Sequence, residues 1–297
     1  MNSILDATGF FVSDFEKKNV FVFESSESTP TFCYSEFLIE EQSKENYIKT
    51  GEEFLSEIRS NNLDKAILSR VKLIDRNVDL FQFYEALCTR YESAFVYLIS
   101  SEVFGTWIGA TPEVLIRREK NNARTMSLAG TLPVNSNEVW SSKELSEQAF
   151  VTKFIQEQLS KLNLGNIEES ELNTVTAGPV RHLRTDFEFN ISKNNVLKLA
   201  SLLHPTPAVS GLPRAGAVSL INNLEKHNRQ FYSGLIGIQN AKNSDIFVNL
   251  RCAQVFDTKI ALYLGGGYTK DSLVHKEWAE TEAKAATLLD VIKDIEN

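Results

Sequence analysis

The chain has 297 residues, of which 42% are hydrophobic and 24% charged, and it carries a net charge of −8. These are the proportions of a globular protein; no apolar run approaches the roughly 20 residues needed to span a bilayer, and no basic stripe exists to neutralise nucleic-acid phosphates. Membrane and nucleic-acid partners are therefore excluded, and an anionic ligand would have to be drawn in by local cations or a bound metal.

Residues 1–44 hold two strand-like runs, 19–24 and 31–39, joined by polar connectors, and read as a peripheral segment. Apolar residues recur at helical spacing over 47–60, and 65–74 then alternates and is rich in β-branched residues, which predicts a strand. A helix is expected over 80–90, followed by short strands at 94–100, 103–109, 114–118 and 123–129, a succession that indicates an antiparallel sheet. A long amphipathic helix over 143–162 leads to a strand at 171–176 and a helix at 194–203. Residues 204–214 (HPTPAVSGLPR) place three prolines and a glycine in eleven residues, which forces a rigid, shaped loop. Beyond it come a helix at 215–227, strands at 231–238, 245–256 and 259–264 ending at three glycines, and a closing helix at 275–295. No repeat or linker marks a boundary, so the pattern predicts one α+β domain over 1–297, with a core at 45–295 and large antiparallel sheets flanked by helices.

Cys33, Cys88 and Cys252 follow no disulfide or zinc spacing and read as small buried hydrophobes. The first residues lack the features of a signal peptide, so a cytoplasmic protein is expected, and a monomer.

Some residues invite a chemical reading. On the last helix Glu277, Glu280 and Lys284 share one face, and Glu144 and Glu147 sit together on an earlier helix. Such spacing equally describes a solvated helix surface, whereas Mg²⁺ commonly takes one or two carboxylates together with an anionic substrate. Glu113, behind a proline between two strands, suits a positioned acid with a raised pKa, or an exposed turn. Lys65 opens an apolar strand, where partial burial would favour a neutral amine, although lysines at strand edges are usually solvated. Arg251 between Leu250 and Cys252 needs a planar anionic partner. The three glycines at 265–267 lack dinucleotide or Walker spacing; they suit either close approach to an anion or a sharp turn.

Taken together, seven segments resemble the chorismate-utilising enzymes in order and spacing: KAILSR (65–70), GATPEVL (109–115), LAGT (128–131), SKELSEQ (142–148), the proline-rich loop, FVNLRCA (247–253) and GGGY with EWAETEAK (265–284). Within that family the isochorismate synthase branch is most similar. The resemblance covers about residues 45–295. It implies an α/β sandwich with a central cleft, chorismate as substrate and Mg²⁺ as cofactor. It implies Glu147 and Glu280 as metal carboxylates, with Glu277 and Glu144 nearby. Lys65 would be the base that activates water at C2, and Glu113 the acid that protonates the departing C4 hydroxyl. Arg251 and Lys284 would anchor substrate carboxylates. Gly130, Thr131, His204, Gly265 and Gly267 would line the site, with Ala208, Val209 and Phe231 as a wall. Ala129 stands where covalent-lysine relatives carry their lysine, and Lys65 stands where anthranilate synthases usually have glutamine. Gln148 replaces a frequent histidine, and the N-terminal part is shorter than in many relatives.

Overall fold

The protein's computed structural model describes residues 7–23, 31–135, 137–177 and 180–296, apart from the side chains of Thr131, Pro133, Lys143, Ala177, Val180 and Glu296. Strands β1 (Gly9–Ser13) and β2 (Val20–Phe23) come first, then helix α1 (Lys44–Ser60), β3 (Lys65–Ile74) and α2 (Leu80–Arg90). Four strands follow: β4 (Phe95–Ser101), β5 (Gly105–Thr111), β6 (Val114–Glu119) and β7 (Asn122–Pro133). Helix α3 (Ser142–Leu159) leads to β8 (Ile167–Glu169), β9 (Asn173–Ala177) and β10 (Val180–Asn190), then α4 (Lys193–Leu203), β11 (Gly211–Leu212) and α5 (Arg214–Leu224). The chain closes with β12 (Leu235–Gln239), β13 (Asn243–Val248), β14 (Cys252–Val255), β15 (Ile260–Tyr268) and α6 (Val274–Glu296).

These strands form two antiparallel sheets. The larger runs β2-β1-β12-β13-β6-β7-β10-β8, with β9 also on β10, and the smaller runs β11-β3-β15-β14-β5-β4. Helices α3 and α4 pack on the larger sheet and α2 and α6 on the smaller. Between the sheets lies an aromatic core that includes Trp107, Phe231, Phe247 and Tyr263. This is the helix-flanked α+β sandwich the pattern predicts, with apolar side chains of both sheets meeting in the core between them.

Four local expectations are corrected. Residues 31–39 form no strand; they run past the smaller sheet through side-chain bonds, such as the Cys33 amide to Ser100 Oγ at 2.7 Å. Residue 24, the end of the first expected strand, lies outside the described residues. The single strand expected over 245–256 is two strands in different sheets, broken at Arg251, whose φ is +50°. The glycines 265–267 do not end a strand but continue β15, paired with Ser69, Leu68 and Ile67 of β3. Four strands absent from the sequence reading, β1, β8, β10 and β11, are also present. In β10 Leu183, Phe187 and Phe189 point inward while Arg184 and Glu188 point outward, the period of two that a half-buried strand requires.

Candidate active site

The two sheets share no strand but are joined by segments that leave one and enter the other, and the site lies at these joins. β5 passes to β6, and β13 to β14, each pair changing sheets through a short crossover. The crossovers are stitched together: the Val248 amide donates to the Glu113 carbonyl at 2.9 Å, the Ala110 amide to the Arg251 carbonyl at 3.1 Å, and Thr111 Oγ1 to the Val248 carbonyl at 2.6 Å. Glu113 and Arg251 therefore emerge side by side where no ladder consumes their neighbourhood. Arg251, expected in a strand interior, owes its exposure to the site to this break.

Beside the crossovers lies an inner cavity of about 80 Å³, whose lining includes Ala208, Val209, Arg251, Gly265, Gly267 and Lys284. A second, outer cavity of about 220 Å³ is lined by Lys65, Glu147, Phe150 and Pro207 among others. Lys65 lies against Gly267, where an added Cβ would stand 3.1 Å from Lys65 Cε, so the Lys65 side chain stands between the two spaces. Gly265 is required for a different reason: a Cβ there would come within 2.6 Å of Tyr232 Oη, which closes the floor of the inner cavity. Pairing between β14 and β15 covers only residues 260–262 of β15, so one edge of the glycine run is open. Its Gly265 carbonyl accepts a bond from Lys284 Nζ at 2.7 Å.

The charges are arranged in pairs. Lys65 Nζ contacts Glu147 Oε1 at 2.5 Å, and Lys284 Nζ contacts Glu280 Oε1 at 2.6 Å. Sequence reasoning weighs partial burial of Lys65 against a solvated lysine at a strand edge; the structure adds a partner neither reading contains, because α3 brings Glu147 directly to the amine. Burial raises the pKa of Glu113, against the pull of Arg251 and Lys65. Burial lowers that of Lys284, against the attraction of Glu280. Arg251 is also lowered by burial, while Tyr232, Glu280 and Glu113 favour its charge. Glu113 retains some solvent contact by surface area although it is ringed by protein.

Several expected site residues are placed elsewhere. His204 is buried with its Nε2 donating to the Phe15 carbonyl at 3.0 Å, and burial drives its pKa to about 3, so it serves as a neutral brace for the N-terminal strands. Phe231 turns into the inter-sheet core against Phe104 and Trp107, and borders a separate cavity of about 960 Å³. Gly130 has φ +66° and packs under Glu144, with its carbonyl on His182 Nδ1 at 2.8 Å. The side chain of Thr131 lies outside the described residues. Glu144 accepts from the Ser141 amide and hydroxyl at 2.9 and 2.5 Å, which makes it part of the start of α3. Gln148 is buried away from the cavities, its Nε2 donating to Ser127 Oγ at 2.8 Å. Glu277 lies against Gly266 and accepts from Ser272 Oγ at 2.9 Å. Sequence reasoning missed Ile67, Tyr232 and Tyr263 as lining residues, because their apolar bodies read as core.

Among the described residues, no three His, Cys, Asp or Glu side chains cluster as a ready ligand set. Glu147 and Glu280 nonetheless fit a hard divalent cation in kind: Glu147 lines the outer cavity, Glu280 pairs with Lys284 of the inner one, and each carboxylate already holds an ammonium group.

An antiparallel sandwich brings an arginine and two lysines to adjoining cavities, with a buried glutamate near the arginine, a set of cationic groups that suits a compact organic anion. The chain belongs to the chorismate binding enzyme family, whose model it matches over residues 11–293. It is 31% identical over 243 residues to the isochorismate synthase EntC of Escherichia coli K12, covering 77% of this chain but 62% of that protein, and so spans less than two thirds of its length. It is 27% identical to anthranilate synthase component 1 of Saccharolobus solfataricus, over 86% of this chain and 64% of that protein. A crystal structure of a 2,3-dihydroxybenzoate-specific isochorismate synthase, DhbC, from Bacillus anthracis superposes with a TM-score of 0.80 at 24% identity, over 97% of this chain and 84% of the other, which shows the shared fold. No helix among the described residues is long and apolar enough to cross a membrane.

Proposed function

We propose that this protein is an Mg²⁺-dependent isochorismate synthase that adds water at C2 of chorismate as the C4 hydroxyl leaves. The observation that supports the reading is the convergence of Lys65, Arg251 and Lys284 on adjoining cavities, with the buried Glu113 within electrostatic reach of Arg251 and Lys65. Arg251 and Lys284 provide cationic partners for the two carboxylates of chorismate, and a guanidinium offers the planar fork that a carboxylate matches. The ring is then fixed with Lys65 and Glu113 available to opposite ends of the reacting system.

In that pose Lys65 removes a proton from the attacking water while Glu113 delivers one to the departing hydroxyl. One C–O bond forms, one breaks, the ring double bonds shift, and no electrons enter or leave. A carboxyl whose pKa is raised by burial is the right donor near neutral pH. Lys65 becomes available to a water only when its contact with Glu147 is given up, so Glu147 must find another cation. Glu147 and Glu280 would hold Mg²⁺, which when bound supplies Lewis-acid neutralisation of a substrate carboxylate. Lysine at position 65 favours water over ammonia, which needs no base. The protein is further proposed to act as a cytoplasmic monomer with a single catalytic domain.

Incubation with chorismate and Mg²⁺, with products resolved by chromatography, tests this reading. Isochorismate is expected. Salicylate with pyruvate would reassign the protein to salicylate synthesis, anthranilate formed only with ammonia would reassign it to the amination branch, and no turnover would leave a ligand-binding protein.

A further inference from the structure

The back wall of the inner cavity is held by a buried ion pair that the proposed chemistry does not use. Arg229 and Glu225 lie just beyond α5, and their side chains are 3% and 4% exposed. Arg229 Nη2 and Nε hold the two carboxylate oxygens of Glu225 at 2.6 and 2.8 Å. The same carboxylate accepts the amide of Ser69, on β3, at 2.6 Å. With its remaining donors the guanidinium bonds the Val209 carbonyl at 2.7 Å and the Ile67 carbonyl at 2.9 Å. Both of those residues line the cavity, Val209 from the proline-rich loop and Ile67 from β3. The ring of Phe15 covers the guanidinium, 4.6 Å from its carbon.

Only a planar fork with five donors can satisfy one carboxylate and two carbonyls from different segments together. A buried ion pair is weak evidence for stability, since apolar residues of similar volume often serve as well. Its value here is better sought in what it holds. The loop is otherwise tied to β3 by the short β11 ladder, by the Ile67 amide on the Ser210 carbonyl at 3.0 Å, and by nothing that fixes Val209 itself to the strand among the described bonds.

We propose that Arg229, oriented by Glu225, is a positioning residue that sets the width of the inner cavity by locking Val209 of the proline-rich loop against Ile67 of β3, and thereby sets how tightly the substrate ring is held. The inference rests on the reading of this cavity as the substrate site. It assigns Arg229 no contact with substrate and no part in proton transfer.

Steady-state kinetics with chorismate and Mg²⁺, alongside thermal unfolding, test it on the wild-type protein, on Arg229→Lys and on the double variant Arg229→Met/Glu225→Met. The double variant removes both charges, so no unpaired ion stays buried, yet the two carbonyls lose their common donor. We expect KM to rise about tenfold with kcat changed by less than about threefold in a variant that still unfolds cooperatively, its unfolding temperature lowered by about 10 °C because the Val209 and Ile67 carbonyls and the Ser69 amide lose their partners. An unchanged KM in a folded double variant overturns the inference, because stability alone would then account for the pair. Should the double variant fail to fold, Arg229→Lys is judged by the same criterion, since lysine keeps the charge beside Glu225 but cannot span both carbonyls. Wild-type protein inactive on chorismate would mark failure of the functional reading; normal wild-type kinetics with unaltered variant KM would mark failure of this inference alone.

Discussion

Replacing Arg70 with methionine should loosen the junction between β3 and α6, the two elements that carry Lys65 and the acidic face of the last helix. Arg70 is fully buried. Its guanidinium carbon stands 3.9 Å from the Trp278 ring centroid, Nε donates to Thr281 Oγ1 at 2.8 Å, and Nη2 donates to Glu282. A desolvated cation–π stack contributes about 2 kcal/mol, the hydroxyl bond about 1 kcal/mol, and the charged bond about 2 kcal/mol. Glu282 is 36% exposed and keeps Lys72 at 2.5 Å, so it recovers part of the loss in water. A net destabilisation of about 3–4 kcal/mol remains, and at about 2–4 °C per kcal/mol for a large domain the unfolding temperature should fall by about 10 °C. Lys72→Met is the control: its pair with Glu282 is part-exposed, and its removal should cost under about 1 kcal/mol. Scanning calorimetry of the two variants decides. If Arg70→Met loses no more than Lys72→Met, the buried guanidinium is not what joins the helix to the strand.

Three further outcomes are expected. Glu113→Gln should lower turnover by about 10²–10⁴-fold, and wild-type activity should decline as pH rises through the raised pKa of Glu113, a limb the variant should lack. Because the native state binds that proton more tightly than the unfolded chain, stability is lost as pH rises from the unfolded to the folded pKa; Glu113→Gln should therefore melt no lower than wild type at neutral pH. Lys65→Ala should abolish water addition without weakening Mg²⁺ binding, whereas Glu280→Ala should weaken metal and substrate binding together; calorimetric titration of both separates the roles, and full activity in either contradicts its assignment. Gly265→Ala would push a methyl group to within 2.6 Å of Tyr232 Oη, so it should raise KM and cost about 1–3 kcal/mol of stability, and an unaffected KM would show that this floor does not bound the substrate.

Much of the candidate site's chemistry is legible in the chain. Lys65, Glu113, Glu147, Arg251, Lys284 and the glycines stand on or beside motifs whose residue types carry their chemistry openly; Lys65, Glu147, Arg251, Lys284, Gly265 and Gly267 line adjoining cavities, and Glu113 lies within electrostatic reach of Arg251 and Lys65. The misreadings have specific causes. His204 and Phe231 lie within or near motifs but point to the opposite side of their segments, and a motif does not tell which way a side chain faces. β10 was hidden by its charges, although Leu183, Phe187 and Phe189 keep a period of two. Ile67, Tyr232, Glu225 and Arg229 gave no signal because an apolar wall residue, or an ion pair four residues apart, looks the same in sequence whether it faces a cavity or not.

The sequence by itself determined most element types, the antiparallel character of the sheets and the identity of most chemical groups, since periodicity, proline and glycine placement, and residue chemistry are local properties. Tertiary structure alone decided that the run from Asp245 to Phe256 divides between two sheets, that Glu147 meets Lys65, and that an arginine beyond α5 ties a loop to a strand 162 residues away. Those facts depend on long-range packing, where burial and the demand that every enclosed charge and carbonyl find a partner select one arrangement among many that the same local pattern allows.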